Sequence, residues 1–234
     1  MNAHDARLLT AAADGDTAAV AAALRDGAAI EARDPHGRTA LLLAALGDHV
    51  GTARALVGAG ADPDAQDQRS DSPWLVTGVT GSVPMMRTLL AAGPDLRLRN
   101  RYGGVSLIPA AERGHVEYVR AVVRETDIDV DHVNRLGWTA LLEAVILGDG
   151  GPAHEEIVEL LVTAGADPLL ADHDGVTALE HAERRGFTGI ADFLRAVTAR
   201  RTGPAGAANP AGAERSPDSA GPAGPTDPTA GAGR

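Results

Sequence analysis

GRTALLLAA, residues 37–45, decides the fold, because it returns along the chain as GWTALLEAV (137–145) and GVTALEHAE (175–183). Each copy reads Gly, any residue, Thr-Ala-Leu, and then an apolar stripe at helical spacing. A threonine just ahead of such a stripe is a helix-start signal, since its hydroxyl accepts from early backbone N–H groups that the helix leaves unpaired. A second motif recurs as GAGADP (58–63), AAGPDL (91–96) and AGADP (164–168), and a third as GDTAAVAAAL (15–24) and GHVEYVRAVV (114–123). Gly15, Gly114 and Gly186 fall where a first helix must stop and turn, and Gly27, Gly60, Gly93 and Gly165 fall after a second one.

In register, the motifs define six units starting near Met1, Asp34, Asp67, Asn100, Asn134 and Asp172, at spacings of 33, 33, 33, 34 and 38 residues. Each unit is two short amphipathic helices plus an extended tip. No unit can bury its apolar face alone, so a core exists only by stacking. This pattern resembles the ankyrin repeat, Asp-x-x-Gly-x-Thr-Pro-Leu-His-x-Ala-Ala, then Gly-His, Leu-Leu and Gly-Ala-Asp. The resemblance covers residues 1 to about 198. It implies an all-α solenoid of helix-turn-helix units with β-hairpin-like tips and terminal units acting as caps. Ala40, Ala140 and Ala178 replace the family's Pro, and Leu42, Leu75, Ile108, Leu142 and Glu180 replace its His. Unit three departs furthest, with Ser70 for Gly, Trp74 for Leu, and Pro84 near its second helix. A local distortion is expected there.

Composition narrows the chemistry. All 21 basic residues are Arg, which removes Schiff-base and P-loop lysines, and the absence of Cys removes disulfides, thiolate metal sites and cysteine nucleophiles. A net charge of -11 repels phosphate backbones and argues against nucleic acid. The N-terminal MNAHDARLLTAAADGD has no basic start and no continuous apolar stretch, so no secretory signal is expected. The longest apolar run, ALLLAAL (40–46), is far too short to span a bilayer. A soluble, cytoplasmic, monomeric chain without membrane contact or cofactor is the expectation. The domain is placed at 1–198 and a tail at 199–234; the stretch from Thr202 onward is dominated by Pro, Gly and Ala without apolar periodicity and is expected to be disordered.

Candidate sites meet structural alternatives. TDIDVDH (126–132) imitates the start of a calcium loop through Asp127, Asp129 and Asp131, but His132 and Trp138 stand where that loop needs Gly and Glu. Ile128 and Val130 suit an extended tip. The histidines form no His-Glu-x-x-His, and His115 sits at the family's helix-start position, a structural role. No Gly-x-Ser-x-Gly elbow occurs. Glu155 and Glu156 read as the acidic start of a helix rather than as a catalytic pair. GDGGPAH (148–154) looks most like a phosphate loop, yet it follows a helix rather than a strand and has no convergent cation. It carries the five residues of the 38-residue spacing. It reads as a surface insertion on the rim opposite the tips, and as a second candidate contact for a partner.

The resemblance also implies where a partner would sit. In the family, tips and first helices line the concave side, and the second, third and fifth positions of a unit, with two near the end of its first helix, are exposed. Unit one gives the small and acidic Asn2, Ala3, Asp5, Ala13 and Asp14. Unit four gives Arg101, Tyr102, Gly104, Glu112 and Arg113, and unit five Arg135, Leu136, Trp138, Ile146 and Leu147. Trp, Tyr and Arg are the residues that anchor interfaces. Arg101, Tyr102, Arg113, Arg135, Leu136, Trp138, Ile146 and Leu147 are therefore the candidate partner-binding set. The competing account makes Trp138 a hairpin cap, with Leu136 and Ile146 partly buried between units. The function expected is a non-catalytic protein–protein interaction module. Two alternatives are a dedicated companion or inhibitor of one enzyme, and an enzyme using the 148–154 loop.

Overall fold

The computed structural model describes residues 2–202, so most of the tail expected to be disordered lies outside the described residues. Six helix pairs follow one another: α1 (Ala3–Ala13) with α2 (Thr17–Arg25), α3 (Ala40–Leu46) with α4 (Val50–Gly58), and α5 (Pro73–Thr80) with α6 (Val83–Leu90). Then come α7 (Leu107–Glu112) with α8 (Val116–Glu125), α9 (Ala140–Ile146) with α10 (Pro152–Thr163), and α11 (Ala178–Arg185) with α12 (Thr188–Thr202). First helices pack on first helices and second on second, unit after unit, so the chain is a two-layer stack. The last helix runs four residues past the boundary expected at 198. None of the described helices is long and apolar enough to cross a membrane.

Local chemistry sets each unit. Thr39, Ser72 and Thr139 cap their helices by accepting from Leu42, Leu75 and Leu142 N–H at 3.2 Å. The unit-opening residue makes the tip. In Asp34, Asp67, Asn100, Asn134 and Asp172 one side-chain oxygen accepts from backbone N–H groups two and four residues on. Such turns are what Asp and Asn do best. Hairpin character is slight: the described tips contain isolated antiparallel bridges at Arg33–Thr39 and Ala171–Thr177.

Units are also bolted together. His49 donates from Nε2 to the Ala13 carbonyl (2.9 Å), and His115 to that of Val79 (3.1 Å), each near the end of the preceding unit's first helix. Those carbonyls have no intrahelical partner, so the ring satisfies an orphan group. Between the layers lie Leu8, Leu41, Trp74, Leu107, Leu142 and Ile157, all fully buried.

Unit three is less distorted than its sequence suggests. Pro73 and Pro84 lie in the first turns of α5 and α6, where no backbone donor is needed. Trp74 fits into the core without exposed surface, although its indole nitrogen finds no acceptor among the described residues. The departure is confined to Ser70, which adopts φ 60° at the place where Gly37, Gly103, Gly137 and Gly175 all have positive φ.

Candidate functional site

The fold gathers several of its large exposed apolar side chains around one groove. Tip turns at Asn100 and Asn134 hold Tyr102 (53% exposed) and Leu136 (50%) outward. The far ends of α3, α5 and α9 add the exposed Leu46, Val79 and Leu147. These five border one groove of about 440 Å³ spanning units two to five. Only tips and first helices line it.

Charge around the groove is mixed and unevenly compensated. Arg101 stacks on the Tyr102 ring at 4.5 Å and pairs with Asp71 at 3.5 Å. Burial raises the Asp71 carboxyl, Asp67 adds to this, and Arg101 and Arg69 partly offset both. Glu143 differs from these, being only 6% exposed. Asn134 donates from Nδ2 to its Oε1 at 2.7 Å. Burial, reinforced by the charge of Glu112, pushes the Glu143 carboxyl up to about 7, and the Asn134 hydrogen bond opposes this only in part. The pairing is a feature of the register: His181 likewise meets Asp172, nine residues before it, at 2.7 Å.

Of the eight candidate residues, Arg101, Tyr102, Arg113, Leu136 and Leu147 line the groove. The other three are placed differently. Arg135 donates its guanidinium to the Arg101 carbonyl (2.9 Å) and its backbone N–H to that of Tyr102 (2.9 Å), tying one tip to the next. Trp138 is half-buried and packs against the core. Ile146 is also half-buried, and its carbonyl accepts from Arg185. Leu46, Val79 and Glu143 belong to the groove and were not in the sequence-derived set. The signal for Glu143 was present: a lone carboxylate inside the otherwise apolar ALLEAV.

GDGGPAH is only partly a surface insertion. Asp149 is exposed, but His154 is buried, with Nε2 donating to the Glu112 carbonyl (3.0 Å) and Nδ1 hydrogen-bonded to Asp149 Oδ1 (2.8 Å). His154 is thus the third bolt, equivalent to His49 and His115. The insertion lengthens α10 at its start, which lies at Pro152 rather than at Glu155. Arg185 donates to the Gly148 carbonyl (2.9 Å), and Phe187 packs so closely that a side chain at Gly150 would strike its ring. The loop is the turn between α9 and α10, and none of its residues lines the groove.

Two of the three acids of TDIDVDH are occupied as well, and Asp127 is exposed. Asp129 accepts from Asp131 N–H (3.1 Å), and Asp131 from Asp167 N–H of the next unit (2.9 Å). Asp64 does the same for Asp95 (2.8 Å). The Asp131 and Asp64 carboxylates connect units. Among the described residues no group of His, Asp and Glu could hold a metal ion.

Known proteins align with this architecture. A family model described as "Ankyrin repeats (3 copies)" matches residues 76–172, and a single "Ankyrin repeat" matches 36–68. The putative ankyrin repeat protein YahD of Escherichia coli (strain K12) is 42% identical over 191 residues, 82% of this chain and 95% of that protein. The crystal structure of an ankyrin repeat domain from Acinetobacter baumannii AYE superposes with a TM-score of 0.78 at 47% identity, covering 82% of this chain and 97% of that one. The ankyrin repeat domain of Bcl-3, a member of the IkappaB protein family, gives 0.72 at 26% identity, with 81% and 85% covered.

Proposed function

The chain belongs to the ankyrin-repeat family, and from that premise we propose that it is a non-catalytic module holding a partner protein in the groove of units two to five. Ankyrin repeats generally mediate protein–protein interaction. One observation carries the placement: five of the large exposed apolar side chains, Leu46, Val79, Tyr102, Leu136 and Leu147, border a single groove on the tip and first-helix face. A contiguous apolar patch of this kind marks an interaction surface on a monomer. Tyr102 and Arg101, stacked and half-solvated, have the chemistry of anchor residues. In the family this face is the concave one.

The test is crosslinking and mass spectrometry of native complexes from the source cell, using the wild type, a Tyr102→Ala/Leu136→Ala variant and an outer-face control, Arg87→Ala. Partners retained by the wild type and the control but lost by the groove variant support the proposal. Equal recovery by all three overturns it. A single stoichiometric partner would indicate a dedicated companion, and several would indicate a scaffold.

A further inference from the structure

We propose that the groove accepts a cationic side chain, a lysine or arginine within an otherwise apolar segment of the partner, against Glu143 and Glu112. This rests on the docking role proposed above and specifies the chemistry of the occupant.

Glu143 lines the groove while remaining more than nine-tenths buried. One carboxylate oxygen is taken by Asn134, and among the described residues the other accepts no hydrogen bond. Among the described residues no arginine forms an ion pair with it. Arg101 is engaged by Asp71 and Tyr102, and Arg69 acts on Asp71. Arg113 borders the groove but forms no ion pair with Glu143 among the described residues, and the like charge of Glu112 bears on Glu143. Arg185, on the neighbouring α11, spends its guanidinium on the carbonyls of Ile146 and Gly148.

A buried carboxylate without a counterion is costly, and it becomes favourable once paired and hydrogen-bonded. An incoming ammonium or guanidinium supplies both the charge and the donors. Its methylene stem can lie along the apolar wall formed by Tyr102, Leu136 and Leu147. A purely apolar segment would leave Glu143 unpaired, and an anionic one would meet two carboxylates. A volume of about 440 Å³ is within the range of sites that enclose a ligand group.

The probe is a random dodecapeptide phage library panned on the full chain at neutral pH. Selected peptides are then synthesised and titrated calorimetrically against the wild type, Glu143→Gln and Tyr102→Ala. Glu143→Gln keeps an acceptor for Asn134 and removes only the charge, and circular dichroism verifies its fold. Peptides should carry a Lys or Arg between apolar residues. Replacing it by norleucine should weaken binding to the wild type about tenfold, and to Glu143→Gln much less. Peptides that need Tyr102 but bind equally well without the cation, or that bind Glu143→Gln unchanged, overturn this inference and leave groove docking standing. Recovery of no peptide that depends on Tyr102 overturns both.

Discussion

Asn134 opens unit five, Glu143 lies in the middle of its first helix, and the 2.7 Å hydrogen bond between their side chains ties the tip to the helix beneath the groove. This contact keeps a carboxylate in a place from which water is largely excluded. The folded chain therefore holds the Glu143 proton up to about pH 7, whereas the unfolded chain releases it near the ordinary 4.5. Between those values the folded state binds more protons, so stability falls as pH rises through the window and levels off above it.

Glu143→Gln cannot ionise and should lose less stability than the wild type between about pH 5 and about pH 8, a difference on the order of 3 kcal/mol at most. Urea denaturation of both proteins across that range measures it. Subtracting one profile from the other cancels carboxylates with the opposite shift, such as Asp34, whose hydrogen bonds from Arg38 and His36 outweigh its burial and lower its pKa. Parallel profiles would show that Glu143 is ionised in the folded chain at neutral pH.

Ser70 holds φ 60° where four other units place glycine. The left-handed region costs a residue with a Cβ about 1–2 kcal/mol, and part of the gain from glycine is cancelled by its greater freedom when unfolded. Ser70→Gly should therefore raise stability by about 0.5–1 kcal/mol, read as a higher denaturation midpoint. A lower midpoint would mean that the serine side chain compensates for its backbone.

What the sequence made legible here was chemistry confined to a few residues. The Thr caps and the glycines of the tips depend on neighbours within one turn, so they survive being read in isolation, and the 33-residue period emerges when those local signals recur along the chain. Ser70 is irregular in the sequence, but that the irregularity stops there is a property of the fold. The groove could be read in part, because Tyr102 and Leu136 occupy exposed tip positions fixed by the register. Leu46, Val79 and Glu143 join it through the spacing of four stacked units, which no local pattern encodes. His154 was hidden differently: five inserted residues displaced it from the register of His49 and His115. Pro152, a residue suited to a helix's first turn, was the sign that α10 begins before Glu155.

His154→Ala should destabilise the stack by about 1–3 kcal/mol, because it strips the hydrogen bond from the Glu112 carbonyl and opens space behind α10. Asp149→Ala, at an exposed position, should cost well under half as much. Thermal melts of the two variants compare them directly. Equal, small shifts would return the whole 148–154 stretch to the status of a surface insertion.

Gly78 lies within α5, and a methyl group built there would stand 1.8 Å from the Ser106 carbonyl oxygen. Helix α5 approaches the start of α7 so closely that backbone meets backbone. Gly78→Ala should cost about 1–3 kcal/mol through overpacking. Gly58→Ala, at a helical site where the methyl meets nothing within 4 Å, should instead stabilise by about 0.5–1 kcal/mol. Chemical denaturation of the pair checks the contrast, and a neutral Gly78→Ala would mean that α5 and α7 can separate at little cost.

Tyr102 and Trp138 test whether docking and folding can be separated at the tips of units four and five. Tyr102 is half exposed, and its ring contact is with the Arg101 guanidinium, so its truncation should leave stability within about 0.5 kcal/mol. Trp138 packs against the core from a half-buried position and should cost about 2 kcal/mol when cut to alanine, roughly half of a full core truncation. Loss of partner by Trp138→Ala would therefore be ambiguous, whereas loss by Tyr102→Ala, with an unchanged melting curve, would place the contact in the groove. If Tyr102→Ala melts as early as Trp138→Ala, the exposed ring is bracing the tip. The apolar face would then belong to the stack rather than to a partner.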